Sequence, residues 1–305
     1  MSSASEGRFL SSSVPLLTPP PRCATLLTDD GVPVEAVYEP CTAGVGTPGG
    51  AAAEGPAATP AIVVAHGFTG SADRPAVRRA ARVFAQRAAV ITFSFRGHGR
   101  SGGRSTVGDR EVLDLAAAVA WARELGHSRV VTVGFSMGGS VVLRHGALYT
   151  AESAAGHTAV RLPAREGRTG SPGAHSDAVV SVSAPARWYY RGTAPMRRLH
   201  WVVTRPSGRL VGRYGLRTRI ATEDWDPVPL SPVAAVPLIA PAPLLLVHGD
   251  RDPYFPLDHP RMLAEAAGPG GAELWLERGM GHAENAADDA LLARIADWAT
   301  AAPPA

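Results

Sequence analysis

Six short apolar runs, spaced along the chain, do most to limit how it can fold. They are "AIVVAHG" (61–67), "AVITFSF" (89–95), "RVVTVGF" (129–135), "AVVSVSA" (178–184), "PLLLVHG" (243–249) and "AELWLER" (272–278). Each is rich in β-branched or large aliphatic residues without strict alternation, as expected of strands covered on both faces. Helical patterns sit between them. "DRPAVRRAARVFAQR" (73–87) sets Val77, Ala80, Ala81 and Phe84 on one stripe, and "DREVLDLAAAVAWAREL" (109–125) does the same with Val112, Leu115, Ala116, Val119 and Ala122, with Asp109 as an N-cap. Strand and helix in alternation predict an α/β fold: a mostly parallel central sheet with helices on both faces, and ligands bound at the C-terminal ends of the strands.

The rest of the chain fits around that frame. With 305 residues and 45% hydrophobic residues, it can bury one large core carrying insertions. We therefore expect a flexible tail over 1–20, one domain over 21–300 and a short tail over 301–305. Within the domain, 42–60 reads as a flexible loop of Gly, Ala and Pro, and 150–177 as a polar surface insertion. "ATLLTDDGVPVEAVYEP" (24–40) reads as two strands around an Asp-Gly turn, flanked by Cys23 and Cys41. Residues 186–242 hold "RWYY", Trp201, Tyr214, Trp225 and nine arginines; this aromatic, partly helical excursion is expected to cap a site at the sheet edge.

Composition narrows the functional classes. All 30 basic residues are arginine, so the net charge of +3 carries little weight as a sign of a nucleic-acid partner. The same bias favours a solvated cap face over an acidic substrate or an anionic lipid surface. The N-terminus lacks the cationic lead and unbroken apolar stretch of a signal peptide, and the greasiest run, 236–249, is short and broken by prolines. A cytoplasmic protein with no stable membrane anchor and with reduced cysteines is the expectation.

One serine then stands out. In "GFSMGG" (134–139) Ser136 follows an apolar strand and opens a helix, with glycines two positions before and after it. A sharp strand-to-helix turn needs small residues there, and it points backbone N–H groups at negative charge developing on the serine's target. This segment resembles the nucleophile elbow of the α/β-hydrolase fold, in its serine-hydrolase (esterase, lipase and serine-aminopeptidase-like) branch. "HGDRDPYFP" (248–256) resembles the family's acid loop and "GHAEN" (281–285) follows the last strand, so the resemblance implies Asp252 as acid and His282 as base. Asp250 competes for the acid role, while His248 and His259 read as decoys.

"HGFTG" (66–70) resembles the family's early loop and nominates the backbone N–H of Phe68, beside that of Met137, for an oxyanion hole; His66 reads as a brace for that loop. "FRGHGRSGG" (95–103) resembles the next loop, although Ser94 stands where the common pattern has Asp. The resemblance implies a serine hydrolase that cleaves a carboxylic ester of a small-molecule acyl substrate through an acyl-enzyme, without cofactor or metal. Thioesterase, amidase, peptidase and perhydrolase activities share this triad, and a non-catalytic binding protein on the same fold is the alternative of another kind. Phe68, Met137, Trp188, Tyr189, Tyr190 and Trp225 are the expected lining of the pocket.

Overall fold

The computed structural model describes residues 20–43, 59–150 and 173–302. Most of the expected tails, of the 42–60 loop and of the 150–177 insertion lies outside these residues. The sheet has eight strands: β1 (Arg22–Leu27), β2 (Pro33–Glu39), β3 (Ala61–Ala65), β4 (Ala89–Phe93), β5 (Val130–Phe135), β6 (Ala178–Val182), β7 (Leu244–Gly249) and β8 (Glu273–Glu277). Their spatial order is β1-β2-β4-β3-β5-β6-β7-β8. β1 and β2 form the antiparallel hairpin read from the sequence, β2 adds to β4 antiparallel, and every other pairing is parallel.

The central strands are buried on both faces, which is why their sequences do not alternate. Along β3, Ala61, Val63 and Ala65 join one core cluster and Ile62 and Val64 the other; along β7, Leu244 and Leu246 divide in the same way from Leu245 and Val247. Helices α1 (Pro75–Phe84) and, at the end of the chain, Asp289–Ala301 cover one face. On the other lie α2 (Glu111–Glu124) and α3 (Met137–Leu148). The stripe residues Val77, Ala80, Ala81, Phe84, Val112, Leu115, Ala116, Val119 and Ala122 are all buried. Each large side chain so covered contributes about 1.5–3 kcal/mol.

One expectation about helix α2 is corrected. Asp109 does not cap it: Arg110 occupies the N-cap without a side-chain bond, and Asp109 faces Arg144 at 3.6 Å. The turn is closed instead by Glu111, whose carboxylate accepts the N–H groups of Thr106, Val107 and Gly108. A longer carboxylate two residues further on reaches back over three donors at once.

The chain reverses direction across the sheet between β3 and β5, since β4 is added on one side of β3 and β5 through β8 on the other. The C-terminal ends of those two strands bound the crevice where such sheets bind ligands. Residues 186–242 include a helical pair, α4 (Ala194–Thr204) and α5 (Pro206–Tyr214), packed closely at Gly208, where a Cβ would collide with the backbone of Trp201 and Val202, and a short helix at Pro232–Ala235.

Candidate active site

Ser136 lies at the junction of β5 and α3 with φ 54° and ψ −113°, a strained conformation for a residue with a Cβ. The flanking glycines make it sterically feasible. A Cβ on Gly134 would collide with the Gly138 carbonyl, and one on Gly138 with the carbonyls of Ala65 and His66 at the end of β3. The N–H of Ser136 donates to the Val182 carbonyl at 2.8 Å, which ties the turn to the neighbouring strand β6.

The structure brings Ser136, His282 and Asp252 into one chain of hydrogen bonds. Asp252 Oδ1 accepts the N–H groups of Tyr254 (2.8 Å) and Phe255 (3.1 Å), and Oδ2 lies 2.7 Å from His282 Nδ1. Burial alone would raise the Asp252 pKa, but the His282 hydrogen bond and charge, with those two amides, outweigh it and hold the carboxyl below its ordinary value. An ionised Asp252 can only accept, so Nδ1 carries the proton of a neutral His282. Its Nε2 lone pair then faces the Ser136 hydroxyl, with Oγ at 2.8 Å. The histidine loop is fixed in turn by Ser183, whose hydroxyl accepts the Ala283 N–H at 3.1 Å.

The competing residues do not take these places, although His248 Nε2 lies 3.6 Å from Asp252 Oδ2. Asp250 accepts the Gly279 N–H in an exposed turn. His248 donates from Nε2 to the Phe255 carbonyl at 2.8 Å, supporting the acid loop from below, and burial lowers its pKa. His259 accepts the Ala186 N–H through Nδ1, packs on the Tyr190 ring and is held down to about 4 by burial.

Gly67 lies against the serine, since a Cβ there would be 3.3 Å from that of Ser136. The next amide along is that of Phe68. Its peptide plane is fixed from the carbonyl end: Gly67 O accepts the Gly70 N–H at 2.9 Å and His66 Nδ1 at 2.7 Å. His66 Nε2 accepts the Phe95 N–H, and burial depresses its pKa to about 3, so the ring is a neutral, oriented brace. Among the described residues, neither the Phe68 nor the Met137 N–H has a hydrogen-bond partner. Ser94 also finds a carboxylate, from another strand: its hydroxyl donates to Glu35 Oε1 at 2.6 Å and accepts the Ala72 N–H.

Above Ser136 opens a cavity of about 490 Å³ whose lining includes all six residues expected from the sequence. Trp188 and Trp225 meet edge to face at 5.1 Å, and Tyr189 leans on Trp225 at 5.5 Å. Their indole N–H groups are bonded to the Pro229 and Thr106 carbonyls, so the polar edges are satisfied by protein and the ring surfaces are left for an apolar guest. Among the described residues, no group of His, Cys, Asp and Glu is arranged to hold a metal, and no helix is long and apolar enough to cross a membrane.

Three participants escaped the sequence reading. Glu35 and Ser183 are far in sequence from what they brace, and Glu284 has no motif of its own. Glu284 is buried two residues after His282, with Oε1 lying 3.4 Å from where a Gly67 Cβ would be. Burial raises its pKa, against the pull of its own amide, of His282 and of the Gly67 amide. Its signal was the acid in "GHAEN", two residues after the predicted base.

Residues 60–284 match the family model of the α/β hydrolase fold. The chain belongs to that family, and the serine at its elbow puts it on the serine-hydrolase branch. No curated protein matches its sequence. Among solved structures, the Pyrococcus furiosus esterase Pf2001 is similar at 20% identity and TM-score 0.62, covering 92% of this chain and 91% of that one. The α/β hydrolase GrgF from Penicillium sp. sh18 is similar at 16% identity and TM-score 0.58, covering 86% and 91%. Est1E from Butyrivibrio proteoclasticus, solved with ferulic acid bound, is similar at 15% identity and TM-score 0.52, covering 91% and 96%.

Proposed function

We propose that this protein hydrolyses carboxylic esters of bulky apolar acids or alcohols through an acyl-enzyme on Ser136. The observation that carries the proposal is the unbroken relay from Asp252 through His282 to Ser136 Oγ, with links of 2.7 and 2.8 Å, on the floor of an aromatic cavity. His282 takes the hydroxyl proton as Oγ attacks the ester carbonyl, and Asp252 holds the imidazole tautomer and stabilises the imidazolium. The N–H groups of Phe68 and Met137 receive the oxyanion, each worth about 3–4 kcal/mol in such a site. His282 then protonates the departing alcohol and activates the water that releases the acid.

A cytoplasmic setting fits the two free cysteines, Cys23 and Cys41. The test is labelling with a fluorophosphonate probe, wild type against Ser136→Ala, with a chromogenic panel of esters of increasing acyl size, one thioester and one amide. Labelling lost in the variant, with turnover rising from acetyl to aryl or long acyl esters, is expected. A folded wild type that neither labels nor turns over any member would return the protein to the non-catalytic binding reading. Preference for the thioester or amide would move the substrate class but not the residues.

A further inference from the structure

We propose that the outer side of the α4–α5 hairpin docks on an anionic lipid surface. Residues 187–219 hold nine arginines and no acidic residue, whereas the remainder of the chain, with twenty-one arginines against all 27 acidic residues, is net negative. A uniform compositional bias would mix the arginines with acids. Here they are segregated onto one piece of structure.

Little of that charge is neutralised. Among the described residues, Arg187 alone of the nine pairs with a carboxylate, that of the exposed Asp258, while Arg197, Arg209 and Arg219 spend donors on backbone carbonyls. Among the described residues, Arg191, Arg198, Arg205, Arg213 and Arg217 have no acidic partner. Interspersed with them are exposed apolar side chains that the fold does not cover: Trp201 (46%), Leu210 (58%), Val211 (46%) and Tyr214 (74%). Arg213 lies over the Tyr214 ring at 5.5 Å, so the two chemistries are in contact.

The hairpin has two distinct sides. Met196, Leu199, His200 and Val203 of α4 line the cavity above Ser136, as do three of the nine arginines, Arg187, Arg191 and Arg209, while Arg197, Arg198 and Trp201 of α4 and Arg205 and Arg213 beyond it lie outside that cavity and are exposed. Cationic helices with protruding Trp, Tyr and Leu suit the boundary between headgroups and acyl chains, where arginines meet anionic headgroups and apolar side chains leave water. A nucleic acid or an acidic protein would engage the arginines but leave Leu210 and Val211 without a role. A lipid surface uses both.

The experiment is co-sedimentation of the full chain with vesicles of phosphatidylcholine alone and of phosphatidylcholine with phosphatidylglycerol, at low and raised salt. Two variants accompany it: Arg198→Glu/Arg205→Glu/Arg213→Glu and Leu210→Ser/Tyr214→Ser, none of which lines the cavity. Binding to the anionic vesicles only, weakened by salt and lowered at least about tenfold in either variant, is expected. Absence of wild-type binding to anionic vesicles overturns the proposal, and this arm needs no variant to fold. Equal binding to neutral vesicles also overturns it. So does full binding by the Leu210→Ser/Tyr214→Ser protein, which would indicate a surface for polyanions in general. Sedimentation does not depend on turnover, so its outcome is separate from that of the ester assay.

Discussion

Replacing Asp252 by Asn removes one charge and moves no backbone, yet the structure predicts a severe loss. Oδ1 is held by two amide donors, from Tyr254 and Phe255. An asparagine keeps both bonds only if its carbonyl oxygen takes that position, so its NH₂ must point at His282 Nδ1. A donor there forces Nδ1 to accept, which moves the ring proton to Nε2, facing Ser136 Oγ. The base then presents a proton where it should present a lone pair. In a triad the wrong tautomer costs about 10⁴ in kcat, or roughly 5.5 kcal/mol of barrier. The assay is kcat on an aryl ester for wild type, Asp252→Asn and Asp250→Asn, with Tm for each. Among the described residues the Asp250 carboxylate accepts the Gly279 N–H alone, so Asp250→Asn should stay within about threefold of wild type, a change of under 1 kcal/mol in barrier. If a folded Asp252→Asn protein retains activity within about tenfold of wild type, the tautomer reasoning fails.

Gly138→Ala drives a methyl group into the Ala65 and His66 carbonyls, so fluorophosphonate labelling should fall far more than the melting temperature does. Trp225→Ala removes one ring wall of the cavity; KM should rise for aryl and long acyl esters and hardly change for acetyl esters. Glu284 has a raised pKa in the folded protein, so its contribution to stability is full below the unfolded-state pKa and is lost as pH rises through the folded value. The Tm of Glu284→Gln relative to wild type should therefore climb as pH is raised across that window, and a flat difference would count against a buried, titrating carboxyl. Phe84→Ala empties a fully buried site under α1 and should cost about 3–5 kcal/mol in a denaturant titration.

Sequence carried the sheet well because its strands are buried on both faces, and a run such as "AIVVA" has few other uses. The helices declared themselves through stripes such as Val77, Ala80, Ala81 and Phe84. That Ser136, His282 and Asp252 would meet was readable because the elbow and the two late loops have local sterics, and local sterics leave motifs. Long-range braces leave none. Ser183 fixes the histidine loop across 100 residues, and nothing near either end announces it. The Asp109 cap failed because the helix begins one residue later, after Arg110, and the Asp109 carboxylate turns to Arg144 instead. How the arginines of the cap are used was illegible too, because sequence alone does not tell which of them meet an acid and which face outward.

The Glu35–Ser94 bond bears on where this protein can be cut. The family match begins at residue 60, which would make the N-terminal hairpin an accessory piece. Yet the carboxylate that engages Ser94 and the Arg100 amide is on β2, and Asp30, in the hairpin turn, pairs with the buried Arg96 at 2.7 Å. A chain trimmed to the match would keep every residue proposed for catalysis and leave Arg96, among the described residues, with Asp114 as its one remaining ion pair. The loop following β4 would lose two of its anchors, and the β3 loop that offers Phe68 would lose the Ser94 geometry that holds Ala72. A chain trimmed to residues 60–284 should therefore melt at a lower temperature than one that keeps the hairpin, a difference a thermal melt of the two would read.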